Sequence, residues 1–95
     1  MNAMYNPSHP GEILQEYMEG LSLSITALAA HLKTSRVTLS RILNARASIT
    51  ADMALRLADA LGTTPDFWLR LQMQHDLWVA SQGKRPQIAP IHQAA

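Results

Sequence analysis

The chain has 95 residues, 47% of them hydrophobic and only 5% aromatic, with no cysteine and a formal net charge of +1. That length suits one domain around a single core, and the missing cysteines exclude disulfides and thiolate metal sites. No apolar run approaches the roughly 18 residues of a membrane span, and the first seven residues lack the basic and apolar regions of a signal peptide, so the expected location is cytoplasmic.

The apolar mass is Leu, Ala, Ile and Met, good helix formers with few of the residues that strands favour. The expected fold class is therefore all-α. Residues 1–8 read as an N-terminal arm. His9-Pro10-Gly11-Glu12 opens the first helix: Pro suits the first helical position, and Glu12 lies in the first turn, where the helix dipole favours an anion. Ile13, Leu14, Tyr17 and Met18 share one face, and Gly20 is expected to end the helix. Ser24 caps a short second helix from Ile25 to Leu32, with Leu28, Ala29 and Leu32 inward. Lys33 and Thr34 form a turn, and Ser35 caps a third helix running to about Asn44. After a loop from Ala45 to Ile49, Thr50 caps the fourth helix. Its inward residues are Met53, Ala54, Leu57, Ala58 and Leu61, and Gly62 closes it. Thr64-Pro65-Asp66 starts a fifth helix that continues to Ser81. Residues 9–81 make the domain, and 82–95, rich in Gln, Pro and Ala, make a C-terminal tail.

Net charge becomes informative once it is mapped along the chain. Residues 1–32 hold Glu12, Glu16 and Glu19 and no Lys or Arg. Residues 33–46 hold Lys33, Arg36, Arg41 and Arg46 and no acid. Between 52 and 76 four Asp face two Arg. One basic segment in a nearly neutral chain is either a solvated cluster or a localised polyanion-binding face.

Two short helices joined by a tight turn, the second one basic, fit a helix-turn-helix. Small Ala29 sits where the two cross, and Leu28, Leu32, Leu39 and Ile42 fix the crossing. At about 100° per residue, Leu39, Ile42 and Leu43 share one side of the third helix. Val37, Ser40, Arg41 and Asn44 share the other, with Arg36 and Thr38 flanking them. Guanidinium, hydroxyl, amide and methyl groups are those that read a major groove.

The run from Thr26 to Asn44, Thr-Ala-Leu-Ala-Ala-His-Leu-Lys-Thr-Ser-Arg-Val-Thr-Leu-Ser-Arg-Ile-Leu-Asn, resembles the helix-turn-helix of the phage-repressor (Cro/C1, or XRE) superfamily. The flanks Asn6-Pro7-Ser8-His9-Pro10-Gly11-Glu12-Ile13-Leu14 and Thr64-Pro65-Asp66-Phe67-Trp68-Leu69-Arg70-Leu71-Gln72, with Asp76-Leu77-Trp78, are similar to signature segments of HigA-type antitoxins. The resemblance spans residues 6 to about 80 and implies a five-helix, lambda-repressor-like domain. It implies that Arg36, Val37 and Arg41 face bases, that Thr38 and Ser40 lie beside them, and that Asn44 contacts phosphate; Ser35 and Arg46 are further phosphate candidates and Lys33 a weaker one. Two positions depart from the family pattern. Lys33 stands where the turn usually carries Gly, so either Lys33 is left-handed or the turn differs slightly from the family's, and His75 stands where Tyr is frequent.

The fifth helix has two apolar faces. Phe67, Trp68, Leu71, His75, Trp78 and Val79 form one; Leu69, Met73, Leu77 and Ala80 form the other, with Gln72/Asp76 and Arg70/Gln74 between them. The first would meet the body of the domain, and the second either the same chain or a second subunit. The resemblance implies a homodimer reading a palindromic operator, a toxin endonuclease as protein partner, and repression of the chain's own operon. A phage-type or housekeeping regulator with no toxin partner is the alternative. Enzymatic readings find little support: His9, His31, His75 and His92 are scattered, with no paired carboxylates at ligand spacing and no HExxH. No metal, cofactor or catalytic residue is expected.

Overall fold

A computed structural model describes residues 6–92; within them five helices pack without strands: α1 (Pro10–Gly20), α2 (Ile25–Leu32), α3 (Arg36–Leu43), α4 (Ala51–Leu61) and α5 (Pro65–Gln82). Four of the five starts follow one device. The hydroxyls of Ser24, Ser35, Thr50 and Thr64 each accept the backbone N–H three residues on, satisfying a donor the helix leaves open. At α1 the cap is His9, whose Nδ1 accepts the Gly11 N–H at 2.8 Å.

The helix ends follow the sequence expectation, and α1 adds a left-handed residue beyond its last glycine. Gly20 is the last residue of α1, and the left-handed residue is Ser22, with φ of 55°. The N–H groups of Ser22 and Leu23 bond back to Glu19 and Met18, closing the turn. Nothing would touch a Cβ on Gly20, so its lack of a side chain is not what ends the helix. Lys33 is left-handed, the first of the two alternatives for the turn, with φ of 58°, and Gly62 closes α4 at φ of 73°. The fifth helix runs one residue beyond Ser81.

The core is built from Leu14, Met18, Leu28, Ala29, Leu32, Leu39, Ile42, Ile49, Met53, Ala54, Leu57 and Trp68. The helix pairs α1·α3, α1·α5, α2·α3, α2·α4 and α4·α5 pack around it. Trp68, fully buried, anchors α5: its Nε1 donates to Thr63 Oγ1 at 2.7 Å, and Tyr17 and Phe67 lie against its ring.

Two assignments on α5 change. Gln72 does not separate two faces in solvent. It is buried, its Oε1 accepts the N–H of buried Ile49 at 2.8 Å, and its Nε2 donates to Asp76 at 2.9 Å. The loop before α4 therefore dips into the core, and Gln72 supplies the partner its backbone needs. Val79, grouped with the inward face, is 49% exposed and borders an open depression with His9, Ala45 and His75. In the N-terminal arm, Pro7 is buried and its carbonyl oxygen lies 3.3 Å from His75 Nδ1. Residues 1–5 of that arm and 93–95 of the tail fall outside the described residues.

Candidate nucleic-acid interface

The segment from Ser35 to Arg46 turns Leu39, Ile42 and Leu43 into the domain and its polar residues, with Val37, out. Leu39 and Ile42 are buried and Leu43 half-buried. Arg36, Val37, Thr38, Arg41 and Asn44 are exposed and Ser40 half-exposed. Arg36, Val37, Ser40 and Arg41 converge on one shallow groove, whose other wall is Ile25 at the first turn of α2. Val37 is 69% exposed there, an apolar branched side chain held in solvent between two guanidinium groups.

The polar groups are pre-arranged by local bonds. Ser35 Oγ accepts the Thr38 N–H at 3.0 Å and donates to Thr38 Oγ1 at 2.8 Å, so both hydroxyls are held at the start of α3. Asn44 Nδ2 donates to the Ser40 carbonyl at 2.9 Å and reaches Ser40 Oγ at 3.3 Å. Arg41 Nη2 donates weakly to the Arg46 carbonyl at 3.3 Å, a bond a stronger acceptor could replace. Arg46 stands apart from the groove. It lines a depression at the other end of α3 with His9, Gln72, His75 and Asp76.

Two residues outside the segment position it. Gly11 is where α1 crosses the end of α3: a Cβ there would collide with the Ile42 carbonyl oxygen and crowd Leu43 Cα at 3.1 Å. Arg56 of α4 donates through Nη1 to the carbonyls of Leu32 and Lys33, at 2.9 and 2.8 Å, while its Nε pairs with Asp52 at 3.0 Å. It thus satisfies carbonyls at the turn between α2 and α3, which a helix end otherwise leaves to water. Sequence reasoning passed over both. The signal for Arg56 was only its i,i+4 spacing from Asp52, which reads as an ordinary surface pair.

A short helix crossing a second, basic one, joined by a left-handed turn, defines a helix-turn-helix protein. The chain belongs to the helix-turn-helix family, whose profile matches residues 14–68. It is 49% identical over 80 residues to an uncharacterized HTH-type transcriptional regulator of Haemophilus influenzae, covering 83% of this chain and 75% of that one. Among solved structures it is similar to an addiction-module antidote protein of the HigA family from Coxiella burnetii. That match has 48% identity and a TM-score of 0.80 over 82% of this chain and 86% of the other. It also resembles the Pseudomonas aeruginosa antitoxin HigA solved with the higBA promoter, at 40% identity and a TM-score of 0.78 over 80% and 84% of the two chains. Within the family, the chain is of the HigA type.

Proposed function

We propose that the chain is an operator-binding repressor and the antitoxin of a two-gene toxin–antitoxin operon. The observation that carries this is the outward face of α3, where Arg36, Val37, Ser40 and Arg41 surround one groove in a stretch free of acids from 33 to 46. Arginine pairs bidentately with guanine and a branched methyl packs on thymine. Thr38 lies beside these base readers, while Ser35, Asn44 and Arg46 hold the phosphates on either side. The structural likeness to an antitoxin solved with the higBA promoter supports the same role here.

Operator reading of this kind uses two copies. The stripe of Leu69, Met73, Leu77 and Ala80 along α5 is exposed in the single chain, with Leu77 at 63%, and we assign it to the homodimer interface. The partners are then palindromic double-stranded DNA, a second copy and the toxin. The chain is a binding protein of the cytoplasm with no catalytic step. A regulator without a toxin is the second reading, favoured by the Haemophilus influenzae relative, which is named only as a transcriptional regulator.

Gel-shift titration on the chain's own promoter tests the proposal. Arg36→Ala and Arg41→Ala should each weaken operator binding by about 1–3 kcal/mol and relax preference at one base pair per half-site. With two to four cations per subunit at phosphates, log K should fall against log salt with a slope between about −4 and −7. A slope near zero, or operator binding indifferent to both arginines, overturns the assignment.

A further inference from the structure

A second groove lies between α1 and the start of α5, lined by Ile13, Glu16, Tyr17, Gly20, Leu21 and Phe67. Its walls are apolar, Tyr17 and Phe67 are only half-buried, and Leu21 is 57% exposed at one end. At about 100° per residue, Glu12, Glu16 and Glu19 fall within roughly 60° of arc along one edge of this groove, and all three are exposed. The ion pairs among the described residues, Arg56–Asp52 and Arg70–Asp66, leave these three carboxylates aside. No Lys or Arg occurs before residue 33 to neutralise them.

We propose that this groove is the docking site for a basic protein partner, which inserts an apolar side chain between Tyr17 and Phe67 and sets its cations against Glu12, Glu16 and Glu19. The proposal rests on the antitoxin reading: the occupant is the toxin encoded beside this chain. Charge decides among occupants. DNA would bring phosphates against three carboxylates. A second copy seated symmetrically would set three more acids against these three. A protein with a cationic surface gains both from the apolar contact and from complementary charge, which speeds encounter and fixes orientation.

The test co-expresses this chain with the product of the neighbouring reading frame and measures their affinity by calorimetry. Gly20→Phe is the plug: Gly20 lines the groove and nothing lies within 4 Å of a Cβ there, so a ring at this position should fill it. Glu16→Lys reverses charge at the edge, and Leu21→Glu places an acid in the apolar end. Each should weaken partner binding at least about tenfold, with the Glu16→Lys loss shrinking as salt is raised. Operator gel shifts should stay within about twofold of wild type, since none of the three residues borders the α3 groove. Circular dichroism checks folding. The proposal is overturned if the wild type fails to bind the neighbouring product, if all three variants bind it as wild type does, or if they lose the operator in step with the partner. Loss of operator binding by the wild type, with partner binding intact, would instead count against the repressor reading alone.

Discussion

His9 closes α1 with its imidazole, and the chemistry of that contact makes it sensitive to acid. Nδ1 accepts the Gly11 N–H at 2.8 Å, which only an unprotonated Nδ1 can do. Burial lowers the His9 pKa from its usual 6.5; His75, whose ring meets it edge-on at 4.9 Å, lowers it further, while Asp76 and Glu12 pull the other way. Arg46 borders the same depression. A base with a depressed folded pKa favours the neutral, folded form. Its contribution is therefore complete above pH 6.5 and is lost as pH falls below that toward the folded pKa. His9→Asn keeps a cap acceptor without a titrating ring. Denaturant melts between about pH 5 and pH 8 should show the wild type weakening on the acid side and His9→Asn weakening less. Equal slopes for the two would remove His9 as the cause. The residue scale is also where the sequence was least legible. Pro10 announces the helix start, but histidine is an uncommon cap, and His75 reaches Pro7 across 68 positions.

At the scale of helices, the placement of α3 depends on what crosses it. α1 rests on its last turn through Gly11, and α4 holds the turn before it through Arg56. Recognition geometry is thus set from both ends of the basic segment by elements that need not touch DNA. Gly11→Ala should force α1 away from the Ile42 carbonyl and cost about 1–3 kcal/mol. A lower melting temperature together with weaker operator binding is expected. Gly20→Ala serves as the comparison: its Cβ meets open space, and replacing glycine in a helix stabilises by about 0.5–1 kcal/mol. If the two alanine variants melt alike, the close crossing does not hold α3. The helix boundaries themselves were legible, because Ser24, Ser35, Thr50 and Thr64 cap within a single turn of where they stand in the chain. The turn just beyond α1 was less legible, for the opposite reason. Ser22 pays the left-handed strain that glycine normally avoids, and no local residue preference announces that.

At the scale of the whole molecule, the stripe on α5 leaves apolar side chains unpaired in one chain, with Met73 at 53% and Leu77 at 63% exposure. Leu77→Asp would bury an unpaired carboxylate in a dimer joined there, a costly event. Sedimentation should show the variant as a monomer with unchanged helical content and operator affinity down by more than about tenfold, since one subunit reads only one half-site. A Leu77→Asp protein that stays dimeric, while Trp78→Asp falls apart, would place the interface on the other face.

Sequence alone determined what depends on neighbours within a turn or two: five helices, their caps, the inward faces of Leu28, Leu39 and Leu57, and a basic helix with an acid-free outer side. Periodicity and capping are written locally, so they survive without the fold. Tertiary structure decided the rest. Gln72 meets Ile49 across 23 positions and Arg56 meets Leu32 across 24. Each looks like a surface polar residue until packing brings a distant backbone group to it: Gln72 satisfies a buried N–H, and Arg56 satisfies carbonyls that the end of α2 leaves open. The groove beside Tyr17 was likewise invisible beforehand, because it exists only where the end of α1 meets the start of α5 and leaves the space between them unfilled.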